Sequence, residues 1–188
     1  MFNIPARNLT NYNSYLNSFN FSTLPNDYDP GNWESVEHGT FIQGTGWSGG
    51  IGRINCIEFS SNGADCFVGA PAGGVWKATG QWVNWEPITD GLPNIGISGI
   101  GVSPNNSNHI FILTGDGDGY GMSGVGSIGV LETNNGGITW QPTSLTWADS
   151  ELVRGYKLLV HPTNKNFQYV VVANSGNNYN GIYRTNDA

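Results

Sequence analysis

The sequence predicts an all-β fold assembled from repeated four-stranded antiparallel units, and three observations predict it. The 188 residues include 28 Gly, 9 Pro and 7 Trp but only 11% charged residues, which starves coiled coils and helical bundles of the Ala, Glu and Lys they need. Apolar residues come in short, alternating or β-branched runs bounded by Gly, Pro and Asn, with no 3.6-residue period. The same succession of runs then recurs along the chain. The aromatic content of 12% excludes a disordered chain. No apolar run approaches the ~18 residues of a membrane helix, and the length suits about one domain with a core.

The first repeat holds runs at 52–59, 66–69, 73–77 and 84–88, and the second at 97–104, 110–115, 128–133 and 139–143. The third holds runs at 156–162, 169–173 and 181–187. Trp85 and Trp140 stand 55 residues apart, and Ala78, Thr133 and Thr185 follow at steps of 55 and 52. Ser-Pro-Asn-Asn at 103–106 and His-Pro-Thr-Asn at 161–164 supply turn chemistry, because Pro fixes φ and Asn tolerates left-handed backbone. Four strands at a period of about 40–55 residues describe a propeller blade. The expected fold class is therefore an all-β β-propeller fragment of four-stranded antiparallel blades. Two are full, at about 52–91 and 97–143, and one is partial, at 155–188. Asn32-Trp33-Glu34-Ser35-Val36 matches the fourth-strand run Asn84–Ile88 with no first three strands before it, so 32–37 reads as an N-terminal closing strand that completes a last blade and removes an open edge. Residues 32–188 thus form a partial propeller whose remaining blades lie in the same or another chain, since a ring needs at least about four. Residues 1–31 are an N-terminal extension in which Leu9, Tyr12, Leu16 and Phe19 allow a short amphipathic helix.

Thr133-Asn134-Asn135-Gly136-Gly137-Ile138-Thr139-Trp140 resembles the Asp-box (BNR) motif, Ser-x-Asp-x-Gly-x-Thr-Trp, and Thr185-Asn186-Asp187 resembles the start of another. The roles expected of Asn135, Gly137, Trp140 and Asp187 are structural: a side chain accepting backbone N–H groups, a glycine of unusual φ, and an indole packed into the blade. The wider pattern over residues 50–188 resembles the propeller repeats of secreted sortilin-like and xyloglucanase-like proteins, of the type found in Bacteroidetes-like bacteria. That resemblance implies a repeat shared by enzymes and binding modules alike. The xyloglucanase-like pattern carries an acid in a Thr-Asp-Ile-Gly-Gly segment between strands 2 and 3; the matching stretch Gly69–Gly74 here has none, and glycosidic hydrolysis ordinarily needs two carboxylates about 5–10 Å apart. A sialidase-like site needs an arginine triad, and the chain has only Arg7, Arg53, Arg154 and Arg184. Arg53 and Arg154 fall near the starts of first strands and Arg184 at the end of a third, positions suited to surface or inter-blade pairing.

The net charge of −7 carries no cluster of cations, which argues against nucleic acid as a partner and disfavours an anionic membrane surface. Low charge with abundant Asn, Thr and Ser points to an extracellular or cell-surface location, although Met1–Ala6 shows no signal peptide. His38, His109 and His161 do not pair at ligand spacing, two cysteines cannot close a zinc site, and no Gly-x-Ser-x-Gly elbow occurs. No catalytic residue or cofactor is assigned, with calcium as the exception considered below.

The candidate binding site is the insertion 115–126 between the second and third strands of the second repeat. It is expected on the same side as the Ala70–Gly74 turn, near the propeller axis. Alternating glycines would let Asp116 and Asp118 converge. They would bind either Ca²⁺, which wants six to eight oxygens, or sugar hydroxyls, with Tyr120 or Trp147 as a stacking surface. A solvated glycine loop is the competing reading. Cys56 and Cys66 face each other if the hairpin turns at 61–62, giving a disulfide in place of two reduced, buried small hydrophobes. The expected function is an extracellular propeller module for protein or glycan binding, as adhesin, cargo or scaffold, non-catalytic over these residues. The alternative is a glycoside hydrolase of xyloglucanase-like or sialidase-like type with its acids on other blades.

Overall fold

The structure is a computed structural model that describes residues 53–81, 84–93, 96–119, 125–173 and 178–188, all within the compact unit Gly50–Ala188. The expected helix near 8–21, the closing strand 32–37, the boundary at residue 31 and Tyr120 lie outside the described residues. Blade 1 comprises β1 (Cys56–Phe59), β2 (Asp65–Ala70), β3 (Gly74–Thr79) and β4 (Trp85–Pro87). Blade 2 comprises β5 (Ile97–Ser103), β6 (Asn106–Thr114), β7 (Gly129–Thr133) and β8 (Gln141–Thr146). Blade 3 comprises β9 (Arg154–His161), β10 (Asn164–Ala173) and β11 (Gly181–Thr185). Each strand pairs antiparallel with the next in sequence, giving two four-stranded meanders and one of three strands. The described residues are all-β, a β-propeller fragment of two full blades and one partial blade. The 3-10 turn Asp149–Glu151 joins β8 to β9 and ends on Leu152 at φ 52.

The blades pack sheet on sheet because β6 is apolar on both sides. Ile110 and Ile112 join Phe67 and Val75 of blade 1 in one core. Phe111 and Leu113, the alternate residues, join Leu158, Val170 and Val172 of blade 3 in the other. Strand β5 approaches β9 so closely that a Cβ on Gly99 would lie 2.6 Å from the Leu158 backbone nitrogen, and one on Gly101 2.3 Å from a Val160 methyl. Exposed apolar side chains gather on one face of blade 1, where Ile57, Trp76 and Trp85 surround the buried Cys66 and Ala78, and on one face of blade 3, with Leu159, Tyr169 and Ile182.

The disulfide expected between Cys56 and Cys66 does not form; both cysteines are free. The hairpin closes later than 61–62, with Ser60 N–H donating to Asp65 O at 3.0 Å and Gly63 at φ 68. Phe59 therefore pairs with Cys66 and Cys56 with Gly69. Side chains alternate along a strand, so this register sends the two thiols to opposite faces of the sheet.

Candidate functional site

The described parts of the β6–β7 connection, 115–119 and 125–128, form a strap that ties all three blades together at one end of the propeller. Gly115, at φ 95, donates its N–H to Gly96 O, and a Cβ there would strike the Ser127 backbone. Asp116 then turns inward. Its carboxylate accepts from the Arg53 guanidinium at 2.5 Å and from Asn55 Nδ2 at 3.3 Å, both in the approach to β1 of blade 1. Asn55 Nδ2 also donates to Ile97 O at 2.9 Å, locking the start of β5. On the far side, Gly117 lies against Gly155 O, and Arg154 Nη1 donates to Gly119 O at 3.2 Å, both from blade 3. The return leg is held by Asp116 N–H to Val125 O and by Ser127 N–H to Val153 O. Thr114 Oγ1, fully buried, accepts from Ile128 N–H and donates to Gly129 O. The β2–β3 turn lies at this same end, because Gly96 is flanked by Pro71 O and Val125.

This geometry separates the two aspartates. The Asp116 side chain is only 6% exposed and neutralised by Arg53, so a cation there would have to displace the guanidinium. Asp118 is exposed, and its backbone N–H, not its carboxylate, reaches Asp116 Oδ1 at 3.2 Å. Among the described residues no three His, Cys, Asp or Glu side chains gather as a metal site. Trp147 is not an open stacking surface: it is 8% exposed, and the rings of Tyr179 and Tyr183 lie 6.2 and 6.4 Å from it. The Tyr179 hydroxyl donates to Glu151, which raises the tyrosine pKa and lowers that of the carboxyl. Arg53 sits where a first-strand arginine was expected to pair between blades, whereas Asn55 carries no motif that announces its role.

The turn after β7 is built around Asn135. Thr133 Oγ1 donates to Asn135 Oδ1 at 2.8 Å, and that oxygen also accepts Thr139 N–H at 3.0 Å. Gly137 stands at φ 98 against Ile88, and Trp140 Nε1 donates to Ile88 O of blade 1 at 2.9 Å. At the axis, β1 and β9 bring Glu58 near Lys157. Burial raises the Glu58 pKa, which Lys157 partly opposes. Burial also pushes the Cys56 thiol up to about 11.

Solved structures share this architecture. A structure of an ancestral GH74 enzyme superposes with a TM-score of 0.54 at 22% identity, covering 72% of this chain and 17% of its own. The GH74 xyloglucanase from Xanthomonas campestris gives 0.53 at 17% identity, covering 72% and 20%. The Niastella koreensis GH74 enzyme gives 0.50 at 23%, covering 70% and 21%. The chain thus spans about a fifth of the length of these structures. No family model matches the sequence, and no curated protein does. Among the described residues no helix is long and apolar enough to cross a membrane. At such identities the likeness is one of fold, and the fold is that of a β-propeller fragment.

Proposed function

We propose that these blades belong to an extracellular propeller module that binds a glycan or protein ligand at the end carrying the β2–β3 turn and the β6–β7 strap, without catalysis by these residues. The observation that carries the reading is the Arg53–Asp116 pair. The best-placed carboxylate at that end is buried and neutralised by Arg53, as suits a structural joint rather than a general acid or nucleophile. The joint leaves Asp118 exposed, with its backbone N–H on Asp116 Oδ1. A glycan ligand is supported by the likeness to GH74 structures, one of them a xyloglucanase.

That likeness also favours a second reading, a glycoside hydrolase whose acids lie on other blades. Isothermal titration of the chain against xyloglucan oligosaccharides and a polysaccharide panel, with a reducing-sugar assay in parallel, tests the first reading, and the same sugar assay on a form that carries further blades tests the second. Saturable binding without sugar release, weakened by Asp118→Ala at unchanged melting temperature, is expected. Release of reducing sugar assigns hydrolysis to these blades and overturns the non-catalytic reading. Binding insensitive to Asp118 overturns the placement of the site.

A further inference from the structure

We propose that Trp147 is a covered sugar-stacking platform at the strap end of the propeller, and that the Tyr179 side chain is the latch a glycan displaces to reach it. The inference rests on the reading of that end as a glycan-binding face. Its first observation is an unmatched donor. Trp147 is 8% exposed, and among the described residues its Nε1–H is buried with no hydrogen-bond acceptor. A buried indole ordinarily finds one. Trp140 Nε1 donates to Ile88 O at 2.9 Å, and even the exposed Trp76 donates to Gly73 O at 2.8 Å. Trp147 therefore holds a donor whose acceptor comes from outside the chain.

The second observation is the nature of the cover. Tyr179 and Tyr183 pack on the cluster that holds Trp147, with ring centroids 6.2 and 6.4 Å from the indole. The Tyr179 hydroxyl donates to Glu151, in the 3-10 turn shortly after Trp147. Both partners are half-buried, so water competes for the bond and its net strength is small. The Tyr183 hydroxyl donates to Tyr179 O at 3.2 Å, which fastens the backbone there. Opening then needs only a rotation of the Tyr179 side chain, which breaks one hydrogen bond and uncovers one unsatisfied donor.

The platform borders the return leg of the strap. Trp147 N–H donates to Ile128 O at 3.5 Å, and Ser127 N–H donates to Val153 O at 2.7 Å. A Cβ on Gly126 would lie 2.7 Å from Asp149 Oδ1. The closed latch also marks out what its replacement must offer: a ring to lie against the indole and a hydroxyl for Glu151. A pyranose offers both, with its C–H face on the indole and a hydroxyl on the carboxylate. It adds what tyrosine lacks, a further oxygen to accept Trp147 Nε1–H. While the latch is shut, the apparent affinity is reduced by the fraction of molecules that are closed.

The test titrates xyloglucan oligosaccharides into the chain and into Tyr179→Phe, Trp147→Phe and the double variant. Tyr179→Phe keeps the ring and removes the bond to Glu151, so binding should tighten about threefold or more as the open fraction rises. Trp147→Phe should weaken binding about tenfold and cancel that gain in the double variant. In the isotope-labelled chain the Trp147 indole N–H resonance, identified by its loss in Trp147→Phe, should move downfield at saturation. Without sugar, that N–H should exchange with solvent faster in Tyr179→Phe than in the parent. Equal exchange in the two, as for an N–H held by a buried water, overturns the latch. Binding that Asp118→Ala weakens but neither Tyr179→Phe nor Trp147→Phe alters overturns this inference and leaves the glycan reading standing. Failure of every form to bind overturns both. Tyr179→Phe changes a half-buried position, so it decides the matter even where Trp147→Phe impairs folding.

Discussion

Replacing Gly99 by alanine tests the packing of the innermost strands, and the structure fixes the size of the effect. The new Cβ would lie 2.6 Å from the Leu158 backbone nitrogen, 2.7 Å from Leu158 Cβ and 3.2 Å from its Cα. Non-bonded heavy atoms settle at roughly 3.5–4.0 Å, so β5 and β9 must part by about 1 Å. No rotamer change relieves the clash, because most of the contact is backbone. Overpacking of this kind costs about 1–3 kcal/mol, and the backbone contact puts Gly99 at about 3. Loss of glycine's freedom in the unfolded chain returns up to about 1 kcal/mol. The net of about 2 kcal/mol, at roughly 2–4 °C per kcal/mol for a chain of this size, lowers the melting temperature by about 4–8 °C. Gly91→Ala is the internal control, since nothing lies within 4 Å of its added Cβ, and its melting temperature should match or slightly exceed the parent's. Both are read by differential scanning calorimetry. A Gly99→Ala protein that melts with the parent would refute the close approach of blades 2 and 3.

Three further outcomes follow from the same structure. Arg53→Ala leaves the Asp116 carboxylate buried without its ion partner, and urea unfolding should register a loss of about 1–3 kcal/mol. The figure sits below that for a fully buried pair because the Arg53 side chain is 43% exposed, and adding Asp116→Asn should recover much of it. Trp140→Phe keeps most of the ring but loses the bond to Ile88 O, a cost of about 1 kcal/mol, whereas Trp140→Ala should cost several times more. With the Cys56 thiol pushed up to about 11 by burial, about one molecule in a thousand carries the thiolate at pH 8, so a maleimide should label the folded chain slowly and find two thiols after unfolding without reductant. The folded thiol titrates above the free value of about 8.5. Its contribution to stability is therefore complete below that pH and disappears as pH rises through 11, and Cys56→Ala should flatten melting temperature against pH across this window.

The blades were legible because their information is local. Runs such as Ile110–Thr114 and Val170–Ala173 sit between Pro, Asn and Gly turns, and the strand edges moved by only a few residues. The cysteine register was not legible, since one glycine at φ 68 decides how many residues the Ser60–Asp65 turn consumes, and that choice flips every side chain beyond it. The strap was half legible. Its glycines and Asp116 stood out, but their meaning depends on Arg53 and Asn55, more than sixty residues earlier. Trp147 illustrates the remaining failure: a tryptophan beyond a strand end reads alike whether it faces solvent or lies under Tyr179 and Tyr183, and only the path of blade 3 settles which.

The uninterrupted meander has a consequence for how the chain acquires its structure. Among the described residues every sheet pairing joins strands adjacent in sequence, so loop closure is inexpensive within a blade and contact order there is low. The contacts between β5 and β9 span a whole repeat and must be made later. A chain emerging from the ribosome or crossing a membrane can therefore complete one blade before the next is available, N-terminal first. In that order the strap closes only once blade 3 has arrived to set Gly155 against Gly117 and Arg154 against Gly119 O, which makes the loop face the last part of the molecule to mature.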